Sequence, residues 1–206
     1  LEDVDIARGF FQKALELERD FILAEIELGL TYFFTGNYNK AEKIFSISLK
    51  KSKRKNDKKA SSHCLNHLGM LFRNQSKYKE AIDYHKKALA VREELGDKLG
   101  VSMSLNNLGL VEFDQARQNS ALKYFRRSLK IKEELEDQRR IAATLNNCAI
   151  VYKNKGDYQL AFETMGKALN IYQEIDAQKE ISDVYYNMGN NLINFKKDYK
   201  KAMNYF

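Results

Sequence analysis

The sequence predicts an all-α protein built from repeated antiparallel helix hairpins, and three observations lead there. None of its 206 residues is Pro and ten are Gly, too few turn formers for a β-rich chain. Hydrophobic residues make up 44% of the chain, enough to bury a core, and their spacing is helical. Small residues return at a fixed interval: Gly29, Gly69, Gly109 and Gly189 stand forty residues or a multiple apart, and the remaining rung is Ala149. A period of that length marks a helical repeat array rather than a compact bundle.

In chain order, residues 1–20 ("LEDVDIARGFFQKALELERD") predict a second helix whose first-helix partner is missing. Repeats then follow over 22–57, 58–97, 98–137 and 138–177, with a truncated fifth over 178–206. Each first helix carries the ladder residue, preceded by an apolar one: Leu28, Leu68, Leu108, Cys148 or Met188. Twelve residues on, each second helix brings Ala41, Ala81, Ala121 or Ala161, and Ala202 after one inserted residue. Four further on stand Phe45, His85, Phe125, Met165 and Phe206. Small residues let the two helices approach closely, and the large side chain fills the space between them. Asp57, Asp97 and Asp137 recur in register and predict N-caps for the helices that follow. The period is 34 residues from Ala7 to Ala41 and forty afterwards. The added residues are expected in "AVREELGD" and "KIKEELED", lengthening the second helix.

These residues resemble the tetratricopeptide repeat (TPR), with its L-G-x2-Y and G-x-Y-x2-A-x3-F-x2-A signature. "LGLTYFFTGNYNKAEKIFSISL" and "AIVYKNKGDYQLAFETMGKAL" carry it well, and the pattern recurs five times over nearly the whole chain. Glu112, Gln118 and His85 depart from it, and the usual Pro after the second helix is absent. The forty-residue subtype is similar to that of kinesin light chains, spindle-orientation adaptors and bacterial signalling proteins. The resemblance implies a right-handed superhelical solenoid in which first helices line a concave groove. It also implies which positions face that groove. They hold Asn66, Asn106, Asn146 and Tyr186; His67, Asn107, Asn147 and Asn187; Asn190; Arg73, Phe113 and Lys153; and Asn74, Asp114, Asn154 and Asn194.

Paired asparagines inside helices need a reason, because each costs roughly 0.5 kcal/mol of helix propensity relative to Ala. Buried amides demand partners. An open groove leaves one acceptor and two donors free to meet the backbone of an extended peptide. The expected function is therefore protein–protein interaction through the groove. Asn amides would hold the ligand backbone, and Arg73, Phe113, Lys153 and Tyr186 would select side chains. The alternative is a sensory or regulatory module of a larger bacterial signalling protein, such as a cyclase, histidine kinase or transcription regulator. In the first repeat the groove positions are apolar: Leu23, Ile26, Leu30, Phe33 and Phe34, beside Glu27. That patch either anchors apolar ligand side chains or packs against helices preceding residue 1.

Other signals are weaker. His63 and His67 stand four apart, the spacing of a metal pair, but without a third ligand no metal site is expected. Cys64 and Cys148 occupy packing positions and read as reduced core thiols. "KKSKRKNDKK" (50–59) is basic but lacks interleaved aromatics, and reads as a solvated helix end with Lys51 and Lys55 at positions that hold Val91 and Leu95 later. Across the chain, 35 Lys and Arg stand against 28 Asp and Glu, a formal charge of +7 interleaved along helix surfaces. No nucleic-acid or membrane partner is expected, nor any cofactor. No phosphate loop, nucleophile elbow or carboxylate pair is recognisable, so no catalytic residues are assigned and no enzyme is expected. The expected location is cytoplasmic. A chain without an initiator Met and without polar end repeats is expected to be cut from a longer protein, its uncapped ends leaving self-association possible.

Overall fold

A computed structural model describes residues 2–196, with side chains for 3–193. Ala202 and Phe206, assigned above to a fifth second helix, lie outside the described residues. The described stretch is ten α-helices without a strand. They are α1 (Glu2–Leu17), α2 (Ile22–Phe34), α3 (Tyr38–Arg54), α4 (Lys58–Asn74) and α5 (Tyr78–Glu94), followed by α6 (Lys98–Asp114), α7 (Gln118–Glu134), α8 (Gln138–Lys155), α9 (Tyr158–Glu174) and α10 (Gln178–Lys196). The chain forms two compact units whose boundary falls inside α6, between Asn107 and Leu108.

In the first unit, α2 pairs with α3 and α4 with α5, and α1 packs along α2. Arg8 of α1 holds that junction by lying over the Tyr32 ring, 4.6 Å from its centre, and by donating to the hydroxyls of Thr31 and Thr35. The core joins Ile22, Ile26, Phe33, Ala41, Phe45, Cys64, Leu68 and Leu71. In the second unit, α8 pairs with α9 and α10 packs on α9. Two clusters sit there, one around Phe125, Cys148 and Val151, the other around Met165, Tyr172 and Met188.

The glycine ladder is what closes the hairpins. A Cβ built at Gly29 would stand 2.5 Å from the Phe45 ring, at Gly69 2.6 Å from the His85 ring, and at Gly109 2.5 Å from the Phe125 ring. The large side chain four residues after each small Ala occupies the space that the glycine leaves. Both cysteines are buried free thiols, and burial pushes Cys64 up to about 12 and Cys148 up to about 11.

The turns repeat as well. Residues 36, 56, 76, 96, 116, 136, 156 and 176 all have positive φ, one every twenty residues. Each follows a helix end, and the next residue's N–H donates back five residues, as in Asn37 to Tyr32 and Asp97 to Arg92. That is a Schellman closure at the C-terminal end of each helix from α2 to α9. The expected Asp caps are present: Asp57, Asp97 and Asp137 accept from the backbone N–H groups of Ala60, Gly100 and Arg140. Five of the eight left-handed positions hold no Gly, including Ala116 and Glu136. Such residues are strained by about 1 kcal/mol there. Glu136→Gly should therefore raise the urea midpoint, a gain of roughly 0.5 kcal/mol after the added freedom of the unfolded chain is subtracted. An unchanged or lower midpoint would show that the turn carries no such strain.

The change of period is shared between helices, not confined to the second helix as expected. From Ala7 α1 runs on to Leu17, whereas from Ala41 α3 runs on to Arg54, three residues further. The following first helix also lengthens, from 13 residues in α2 to 17 in α4. A longer second helix needs a longer first helix to cover it.

Candidate functional site

In the first unit the face predicted to line the groove comes from α2, α4 and the first part of α6. Asn66 corrects the expectation of an open amide. It is 3% exposed, and its Oδ1 accepts from the Asn107 side chain at 2.8 Å while its Nδ2 points at the Met70 sulfur. Of the paired residues on α4, the first turns inward and is satisfied by the next first helix. His67 is part-buried and stacks on Phe45, ring centres 5.3 Å apart. Its Nδ1 is enclosed without a partner, and burial lowers its pKa to about 4. Arg73, Asn106 and Asn107 are part-buried and Asn74 is exposed. The apolar patch on α2 divides: Ile26 and Phe33 are core, whereas Leu23 and Phe34 stay exposed.

In the second unit, Phe113 lies half-buried against the Phe125 cluster. On α8, Asn146 and Asn147 are part-buried beside the fully packed Cys148 and Ala149, with Lys153 part-buried and Asn154 exposed. The Asn146 Oδ1 is enclosed and accepts no hydrogen bond. On α10, Asn187 and Asn190 are part-buried beside buried Met188, and Tyr186 is 59% exposed. The side chain of Asn194 lies outside the described residues. Arg139 pairs with Glu180 and ties α8 to α10 at their first turns.

Sequence reasoning missed the buried cations. Arg92, 2% exposed, donates to the Gly100 carbonyl at 3.0 Å and the Ser104 hydroxyl at 2.7 Å. Burial lowers its pKa, and the Asp97 carboxylate opposes that shift. Forty residues on, Lys132 donates to the Thr144 hydroxyl at 2.6 Å, and burial pushes it down to about 8. The signal was available in the register. Ser52, Arg92, Lys132 and Tyr172 share one repeat position, and all four are buried under the start of a following helix. Lys51 is also held, by Glu25, so the cation at an otherwise apolar position has a local partner. Among the described residues no three His, Cys, Asp or Glu side chains gather as a metal site, and no helix is long and apolar enough to cross a membrane.

Antiparallel hairpins with a glycine-closed interface, repeated at forty residues, define a helical repeat protein. Tetratricopeptide repeat models match residues 20–94, 61–134 and 141–175. The chain belongs to the tetratricopeptide repeat family. It is 34% identical over 89 residues to the human cell division cycle protein 16 homolog, a match that takes in 42% of this chain and 14% of that protein. The chain thus spans a small part of the curated relative it matches. Among solved structures, BtubC from P. vanneervenii superposes with a TM-score of 0.79 at 19% identity, over 99% of this chain and 85% of its own. The Rap conjugation gene regulator of plasmid pLS20, in complex with the Phr* peptide, superposes with a TM-score of 0.74 at 19% identity, over 89% and 52%.

Proposed function

We propose that the chain is a protein–protein interaction module that holds an extended peptide or a partner helix against the faces of its first helices. One observation carries this reading. At the same repeat position on α8 and α10 an amide, Asn147 or Asn187, stands half-open beside a buried core neighbour. An apolar residue there would extend the core, and Ala would be the better helix former. A half-buried amide suits a ligand backbone, which needs both a donor and an acceptor. The exposed Tyr186 ring beside Asn187 adds contact area at low entropic cost. The peptide in the Rap regulator complex supports the same use of this fold. The division into repeats over 22–57, 58–97, 98–137, 138–177 and 178–206 accompanies this reading.

Asn107 is a poor probe, because removing it orphans the buried Asn66 acceptor. The variant Asn187→Ala is the better test. Partners captured from extracts of the source cell by the parent chain would be mapped to a peptide, and its affinity measured for both proteins by calorimetry. The lost hydrogen bond should cost about 0.5–1.5 kcal/mol of binding, with helix content unchanged. Undiminished affinity in a folded Asn187→Ala variant rules the groove reading out.

A further inference from the structure

The chain's formal charge is concentrated in one place. Between Tyr38 and Lys59 stand nine Lys or Arg and two Asp or Glu, a net of +7 that equals the charge of the whole chain. Outside that stretch the two signs balance. Internal pairing absorbs a minority of these cations. Lys51 goes to Glu25 and Asp20, Lys55 to Asp20, and Lys58 to Glu94. Lys43, Lys50, Lys53, Arg54 and Lys59 are exposed and make no ion pair with a described side chain. Three of them form a stripe on α3. Residues 43, 47, 50 and 54 fall at the i, i+4, i+7, i+11 spacing of one helix face, with Ile47, 43% exposed, in the middle. The opposite face of α3 buries Ala41, Phe45, Ser48 and Ser52, so the stripe points away from the core.

We propose that this stripe of α3 docks an acidic protein segment, a second interface separate from the groove of the proposed function. Cations held on a rigid helix steer a segment rich in Asp and Glu and fix its register. Ile47 gives such a segment an aliphatic contact among the charges. The chemistry favours protein over the other polyanions. The stripe carries no aromatic ring on which bases could stack. One part-exposed isoleucine is not the broad apolar face that seats a helix in a bilayer interface.

The test uses the full 206-residue chain and a labelled oligo-Glu peptide with one central Ile, read by fluorescence anisotropy. The triple reversal Lys43→Glu/Lys50→Glu/Arg54→Glu should weaken binding roughly tenfold or more, while the equal reversal on α7, Lys123→Glu/Arg127→Glu/Lys130→Glu, changes it less than about twofold. Raising salt should weaken the parent and leave the α3 variant nearly unaffected. The groove variant Asn187→Ala should bind the peptide as the parent does, which separates this surface from the groove. Should the α3 reversal melt early, Lys50→Gln/Arg54→Gln serves in its place, with a smaller loss in the same direction. Equal losses from the α3 and α7 reversals, or no peptide binding by the parent at low salt, overturn the proposal. So does tighter binding to duplex DNA or to phosphatidylserine vesicles than to the peptide.

Discussion

Gly109→Leu should destabilise the second unit by about 3 kcal/mol or more, the upper range for overpacking a tight interior. The expectation follows from one contact. A Cβ at 109 would meet the Phe125 Cε1 at 2.5 Å and Cδ1 at 2.7 Å, before any further atom of a leucine is placed. Phe125 is 1% exposed and shares its cluster with Ala121, Leu122, Cys148 and Val151, so the ring has no free volume into which to swing. The helices must move apart instead, and α6 and α7 lose the interface that holds their hairpin. The next repeat suggests a rescue. There Ala149 stands in the ladder and Met165, a flexible thioether, replaces the ring. Gly109→Ala alone should still destabilise, and Gly109→Ala/Phe125→Met should recover part of that loss, a coupling measurable in a double-mutant cycle of urea midpoints. A loss under about 1 kcal/mol for Gly109→Leu would mean that the ring can leave its slot, and that the ladder is not what sets the helix spacing.

That ladder shows which features the sequence made legible. Gly29, Gly69 and Gly109, the Asp caps at 57, 97 and 137, and the Phe slots at 45 and 125 all act within one hairpin. Period and residue type suffice to find them. The left-handed turn residues were harder, since Ala116 and Glu136 carry no turn chemistry of their own and only helix length places them. Arg92 and Lys132 were hidden because a cation on a helix is ordinarily solvated, and burial here depends on the next hairpin covering it. Asn66 and His67 illustrate the limit at the candidate site. Adjacent residues on a helix point about 100° apart, so one of the pair turns into the interface while the other keeps an edge to solvent. Periodicity gives the face to within about one residue, and that margin separates a bound amide from an open one.

Acidification from neutral pH to about pH 5 should cost the first unit roughly 4 kcal/mol, about 2 kcal/mol from each of two imidazoles, the buried His85 and the part-buried His67. All three histidines of the chain, His63, His67 and His85, lie in α4 and α5. His85 is fully buried under Gly69, with Nδ1 and Nε2 both unpartnered, and His67 has an enclosed, unpartnered Nδ1. Burial lowers His85 to about 3, helped by Arg92, Arg73 and His67, and lowers His67 to about 4, helped by His63 and Arg92. His63 shifts the same way, chiefly by burial, with Asp97 and Asp57 opposing. Unfolded histidines take up a proton near pH 6.5, whereas these take one up only well below it. The unfolded state therefore binds more protons throughout that interval. Stability is full above about pH 6.5 and falls as pH drops toward the folded values. Unfolding midpoints measured between pH 7.5 and 5 should fall steadily, and His85→Phe, which installs the residue found at 45 and 125, should remove about half of the slope. A parent chain equally stable at both ends of that range would mean that the imidazoles find partners or solvent in solution. A His85→Phe variant with the parental slope would place the acid sensitivity elsewhere.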